Sequence, residues 1–458
     1  MEYDDALRWL LTLPDFERTG EFADRADLAP MRALLAALGD PHLGRPTLHV
    51  AGSKGKGSTA VMAEAILHAG GLRTGCYVSP HLHRYNERVR IDGKPVERDV
   101  VAAAMTAVRE AMDAVAPRFP GRRFLAFDAL TAAAFVAFRD AGVAVQVIEV
   151  GLGGLLDSTN VFDATDVVVL TPISLEHTAI LGSTIPEIAS QKAGIITPGA
   201  AVVVAPQRES ALDVFRAAAA ARGASMIEVA AACQMTRTSA SAEGQEFRLR
   251  TPRATYAAKL PLAGRHQLDN AATAVVACEE LALRRGFELT PQHVRAGLAA
   301  VSWPGRLEVL RRNPLVIIDG AHNGDSVKRL VAALREYFGL LHATFLFGTL
   351  AGKDAQAMAD AAAPIADHVY VTAWQHARAA DPRTLAEAFR PHGVPVTVFG
   401  SVADAFEAAA ADVGARGAIV AFGSIAFVAA LREYLLGIES DMIRLQTQQP
   451  PAARPDAS

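Results

Sequence analysis

The stretch from Thr47 to Thr59, TLHVAGSKGKGST, most restricts what this chain can fold into. Leu48 to Ala51 is an apolar run that reads as a buried strand, and a helical pattern starts just after Ser58. The intervening Gly52-Ser53-Lys54-Gly55-Lys56-Gly57-Ser58 therefore predicts a strand, a glycine-rich turn and a helix start. That arrangement cradles phosphate: glycines let the backbone turn its N–H groups inward, and the helix N-terminus adds partial positive charge. Lys56 is placed to reach the outer phosphates, and Ser58 to hold a metal or a phosphate oxygen. The spacing is not the standard one. Counting back from Lys56, the usual first glycine falls on Val50, and Gly57 separates the lysine from the hydroxyl residue.

Further along, strands alternate with helices. Val143 to Val150 is a continuous apolar strand of the buried parallel type, followed by strands at Val167–Leu170 and Ala201–Ala205. Helical patterns cover Val100–Ala116, Phe127–Arg139, a segment with Glu187 and Lys192, Leu268–Arg284 and Pro291–Ala300; Thr171 to Gly182 reads as a loop. Glu87 to Pro95 predicts a hairpin and Phe247 to Leu260 alternates like antiparallel strands. The fold class is α/β: a doubly wound, P-loop ATPase-like N-terminal domain over 1–301, a linker at 302–306, and a smaller Rossmann-like α/β domain over 307–437. A disordered tail is expected over 438–458.

A length of 458 residues fits this division, and a formal net charge of -4 gives no sign of nucleic acid or an anionic membrane as partner. Cys76, Cys233 and Cys278 are too scattered for a Cys-x-x-Cys site, and their odd number argues against a disulfide framework, which fits a reducing cytoplasm. Glu2, Asp4 and Asp5 precede any apolar run, so no secretory signal is read. The apolar run Ala418–Leu431 is broken by Gly423-Ser424 and reads as strand, turn and helix start.

Open α/β sheets bind ligands at strand C-terminal ends. Ser79 closes one strand, Glu149 closes another, and His177 lies in the loop after a third. A hydroxyl, a carboxylate and an imidazole converging beside phosphates describe a magnesium site.

At this point the chain resembles the Mur ligase superfamily, and within it the folylpolyglutamate synthase and dihydrofolate synthase family. The resemblance spans roughly residues 3 to 436. It is carried by HVAGSKGKGST, SPHL at Ser79–Leu82, NERVRIDG, EVGLGGLLDSTN at Glu149–Asn160, SLEHTAILG at Ser174–Gly182, QKAGI at Gln191–Ile195, HQLDNAATA, PGR, DGAHN and FGS. Four positions depart from it. Lys54 stands where asparagine is usual, Leu155 where arginine or lysine is typical, Glu176 for an aspartate and Gly324 for a proline. Lys54 is a candidate for the charge missing at Leu155.

The resemblance implies an ATP-dependent ligase. ATP phosphorylates a carboxylate of a folate or of dihydropteroate, and the amine of L-glutamate displaces phosphate from the acyl phosphate. It implies Lys56, His177, Lys192 and His322 as catalytic residues. ATP would be bound by Gly52, Ser53, Lys54, Gly55, Lys56, Gly57, Ser58, Asn270, Arg306 and Asp319. Magnesium would be held by Ser79, Glu149, His177 and a carbamylated Lys192, and substrate by His81, Asp157, His322 and Ser424. Arg306, in the linker, would couple nucleotide binding to domain closure, and His322 would face the cleft between domains. A cytoplasmic monomer with small-molecule partners alone is expected. Two other readings remain open on the residues: a ligation-deficient folate- or nucleotide-binding paralogue, and a Mur-type ligase with another acceptor.

Overall fold

The computed structural model describes residues 1–19 and 26–447, which form two compact units. The first comprises residues 1–80, 88–304 and 332–339, and the second 81–87, 305–331 and the residues from Leu340 on. The chain passes between the units more than once; one of these passages falls between Pro304 and Gly305.

The first unit is built on β1 (Thr47–Ala51), β2 (Thr74–Tyr77), β3 (Val89–Ile91), β4 (Lys94–Pro95), β5 (Val145–Glu149), β6 (Val167–Leu170), β7 (Ala201–Val204) and β8 (Ser225–Glu228). They form one sheet in the order β4-β3-β2-β5-β1-β6-β7-β8. Only the β2-β3-β4 edge is antiparallel. β1, β5, β6 and β7 are buried along their whole length, because helices cover both faces of a parallel sheet. Alternation sends Leu48, Val50, Val147 and Val169 to one face, against helices Lys56–Ala69 and His266–Arg285. Ala51, Val168, Leu170 and Val202 go to the other face, against helix Ile185–Ala193 and Phe215. β1 lies between β5 and β6, so the strand order reverses there, and the loops after these strands share one edge of the sheet.

A small antiparallel sheet follows in the same unit: β9 (Gln234–Ser241), β10 (Gly244–Arg250) and β11 (Thr255–Leu260). The second unit carries β12 (Glu308–Arg312), β13 (Leu315–Ile318), β14 (Ala343–Phe347), β15 (Ala366–Thr372), β16 (Val396–Phe399) and β17 (Ala418–Phe422), in the order β12-β13-β17-β14-β15-β16. The antiparallel strand β12, with three charged residues in five, gives no strand signal in the sequence. Two expectations need correction. The Thr171–Gly182 loop contains a helical turn at Thr178–Leu181. The expected tail from residue 438 contains helix Asp441–Thr447, because Asp441 bonds back to Tyr85 and His83 and the Ser440 hydroxyl accepts the Ile443 N–H at the helix start; its remainder lies outside the described residues. Among the described residues no helix is long and apolar enough to cross a membrane.

Candidate active site

β1 delivers the chain into the phosphate loop. Gly52 has φ +148°, and a Cβ there would sit 1.8 Å from Thr171 Oγ1, so only glycine fits. The N–H groups of Ser53 and Lys54 donate to Pro172 O, which ties the loop to the segment after β6. Gly55 is left-handed (φ +85°), and a Cβ there would meet Asn270 Oδ1 at 2.3 Å. Asn270 is held by its own donation to Gln267 Oε1 (2.9 Å). Asn270 and the loop, expected to share the nucleotide, are therefore side by side. Helix Lys56–Ala69 follows with no side-chain cap, and Ser58 is buried in its first turn. The first-turn N–H groups of such a helix suit an anion.

Glu149, at the end of β5, lies against that first turn: a Cβ on Gly57 would be 3.3 Å from Glu149 Oε2 and 2.9 Å from Trp303 Cζ2. Glu149 Oε2 also accepts the backbone N–H of Ser79 at 3.0 Å. Strand register places both residues at one sheet edge, since Tyr77 pairs with Ile148 and Val50 with Glu149.

The centre of charge is Glu176. Lys192 Nζ lies 3.4 Å from Glu176 Oε1 and donates to Gly52 O at 2.8 Å; Lys54 Nζ lies 3.8 Å from Glu176 Oε2. Burial raises the Glu176 pKa, but Lys56, Lys192 and Lys54 outweigh it and hold the carboxyl below its usual range. Lys192, with 3% of its side chain exposed, is pushed down to about 8 by burial and then by the neighbouring charge of Lys56. His177 takes left-handed backbone (φ 49°) at the start of the short helical turn, its ring 5.8 Å from that of Phe16. Leu155 is 45% exposed, with its Cα packed toward Gly194, while Lys54 does stand in the charge cluster.

The expected metal set is only partly assembled. Among the described residues no group of three or more His, Cys, Asp and Glu side chains could hold a metal ion. Glu149 accepts the backbone N–H of Ser79, however, so the two residues are neighbours, and the residue types, a carboxylate and a hydroxyl, suit a hard cation whose other ligands are phosphate oxygens and water. Lys192 as an ammonium does not fit such a set. Asp157, expected to serve substrate, is buried, and its carboxylate accepts the N–H of Leu152 (2.9 Å) and both the N–H (3.0 Å) and Oγ1–H (2.6 Å) of Thr159.

In the second unit the candidates sit at the ends of β13 and β17, which pair in parallel next to the strand-order reversal. Asp319 accepts the N–H groups of Leu307 (3.0 Å) and Ala321 (2.8 Å). Burial raises its pKa, opposed by Arg306. Arg306 Nη1 lies where a Cβ on Gly320 would be 2.3 Å away. His322 Nδ1 is 2.9 Å from Gly320 O, so in the neutral ring Nδ1 carries the proton and Nε2 is the acceptor nitrogen. Ser424 caps helix Ile425–Leu436 through the Ala426 N–H (3.3 Å). His81 belongs to this unit too, its ring 4.2 Å from that of Tyr85. Its segment is fastened by residues that the sequence did not single out. Glu87 accepts the N–H groups of Leu82, His83 and Arg84; His83 bridges Glu433 and Arg432; Asp441 accepts the Tyr85 N–H.

Comparison with known proteins agrees with this architecture. Residues 127–278 match the Mur ligase middle domain, and residues 305–425 the Mur ligase glutamate ligase domain. The folylpolyglutamate synthase of Lacticaseibacillus casei is 35% identical over 445 residues, covering 96% of this chain and 100% of the relative. The dihydrofolate synthase/folylpolyglutamate synthase of Mycobacterium tuberculosis is 36% identical over 373 residues, covering 78% of this chain and 76% of the relative. Among solved structures, M. tuberculosis folylpolyglutamate synthase complexed with ADP superposes with a TM-score of 0.86 at 34% identity, covering 94% of this chain and 98% of that one. An FPGS–AMPPCP–folate complex gives 0.84 at 33% identity, covering 95% and 100%. Fold and phosphate loop together define an ATP-dependent ligase of the Mur type. Within that class, the chain belongs to the folylpolyglutamate synthase/dihydrofolate synthase family.

Proposed function

We propose that this chain joins L-glutamate to the carboxylate of a folate or of dihydropteroate. The observation that carries the reading is the group of Lys54, Lys56 and Lys192 around Glu176 beside a phosphate loop, with Glu149 against Gly57 and bonded to Ser79. Lys54 and Lys56, which keep their charge whatever the state of Lys192, give the loop the positive potential that suits a triphosphate. The substrate carboxylate oxygen attacks the γ-phosphorus of ATP, ADP leaves, and an acyl phosphate forms. The amine of glutamate attacks the acyl carbon, phosphate leaves with the carboxylate oxygen, and the amine gives up a proton. Lys56 neutralises charge on the transferring phosphoryl group. Asn270 and the glycines of the loop hold the nucleotide. Ser79 and Glu149 would hold magnesium, which when bound neutralises charge between ATP and the attacking carboxylate.

The finer part of the proposal is that Lys192 is carbamylated. With its pKa near 8, roughly a tenth of Lys192 is the free amine at neutral pH, able to add carbon dioxide and lose a proton. The product is a carboxylate, which can serve the metal with His177. In the second unit, His322 serves the amino acid substrate, with Ser424, and His81 serves the pterin substrate; Arg306 and Asp319 assist nucleotide binding. We place the enzyme in the cytoplasm as a monomer. The test is isotopic. With oxygen-18 in the pterin substrate's carboxylate, one labelled oxygen is expected in the released phosphate. Unlabelled phosphate would rule out the acyl phosphate.

A further inference from the structure

His49 lies in the middle of β1 and is wholly buried, on the face opposite Leu48 and Val50. Its ring sits edge-on to Phe162, 5.7 Å between centroids. Its Nε2 is 2.9 Å from Thr159 Oγ1, and Thr159 Oγ1 is 2.6 Å from Asp157 Oδ1. The directions follow from chemistry. A carboxylate only accepts, so Thr159 donates to Asp157 and must accept from His49, which fixes the Nε2–H form of the ring. Burial holds the His49 pKa down to about 3, so the ring stays neutral. The chain of bonds ends on the loop between Gly151 and Asn160, whose Leu152 N–H also donates to Asp157. That loop closes over the end of helix Ile185–Ala193. Leu155 N–H donates to Gln191 O, Asn160 Nδ2 reaches Gly194 O, and a Cβ on Gly154 would be 2.7 Å from Gln191 O and 3.0 Å from Lys192 Cα.

We infer that His49 is a positioning residue for ligation: through Thr159 it fixes Asp157, and so presses the Gly151–Asn160 loop onto the helix turn that carries Lys192. A plain core residue at this place in a parallel strand would be aliphatic. A buried donor whose bond runs through two side chains to a loop against Lys192 serves the loop. The inference rests on Lys192 belonging to the ligase centre, so its test has one arm that needs no turnover.

The test compares His49→Leu, His49→Gln, Thr159→Val, Thr159→Ser and the double variant His49→Leu/Thr159→Val. His49→Gln and Thr159→Ser keep the donor and the hydroxyl. In hydrogen exchange, amides of residues 151–160 and of the Lys192 turn are expected to exchange at least about tenfold faster in His49→Leu and Thr159→Val, with melting temperature nearly unchanged. In turnover, kcat is expected to fall by about tenfold or more with KM for ATP held within about threefold. His49→Gln and Thr159→Ser should keep at least about a third of wild-type kcat. The double variant should be no worse than the worse single one, because the two side chains act as one unit. Unchanged exchange in the loop would overturn the inference whatever the activity. So would multiplicative losses in the double variant, or a His49→Gln as poor as His49→Leu.

Discussion

In the first unit candidate lysines gather on one buried carboxylate; in the second the candidate side chains are tied to backbone groups. Lys192 and Lys54 share Glu176, and Lys56 adds its charge to the same buried site. Asp319, His322 and Ser424 instead bond to backbone groups: Ala321, Gly320 and Ala426 two positions away, and Leu307 twelve positions from Asp319. The difference separates two kinds of site. Glu176 is one counter-ion for several lysines, so the loop keeps cationic charge for an incoming phosphate. Side chains pinned to local backbone have little freedom to lose, so the second is built to present fixed groups to a small substrate.

This contrast sets the order of expected effects. Lys56→Ala should be the largest: a loss of about a thousandfold or more in turnover, with the circular dichroism spectrum and melting temperature kept. A variant retaining more than about a tenth of the rate would mean that the loop is not the ATP cradle. Lys192→Ala should cost about a hundredfold, with part of the rate restored by acetate filling the vacated carboxylate position. Bicarbonate should likewise raise the activity of wild-type enzyme depleted of carbon dioxide. No rescue, together with an unmodified lysine in intact mass spectra recorded in bicarbonate, would make Lys192 a phosphate-binding cation.

In the second unit His322→Ala should raise KM for glutamate by about tenfold, the scale of one hydrogen bond to a charged group, while ATP affinity stays within about threefold. Equal weakening of both substrates would erase the division drawn between the units. Ser424→Ala should have the smallest effect, about 1 kcal/mol of stability from the lost cap, read by denaturant unfolding. A rise in KM for glutamate beyond about threefold would show that Ser424 touches substrate as well.

Much of this could be read from the chain because it is local. Continuous apolar runs such as Val167–Leu170 admit only a strand covered on both faces, and the residue that ends such a strand must reach the ligand edge. Ser79 and Glu149 therefore stood out, and in the structure the Ser79 backbone N–H donates to Glu149 Oε2 at 3.0 Å. What escaped the reading depends on distant pairing. The His81–Glu87 segment belongs with the second unit through Glu433 and Asp441, 350 and 356 positions from their partners. His49 sits in what reads as an ordinary apolar strand, and its partner Thr159 is 110 positions away. Glu176 stood out only as a replacement for aspartate. Its role as the shared counter-ion of Lys54 and Lys192 needs the loop after β6 folded against β1, which no sequence spacing reveals.

One measurement tests the central claim most directly: ADP release by the purified protein with ATP, magnesium and L-glutamate, and either dihydropteroate or tetrahydrofolate as acceptor. Release is expected with at least one of the two, dependent on both glutamate and acceptor, and absent in Lys56→Ala. Folded wild-type protein that releases no ADP with either acceptor would contradict that claim.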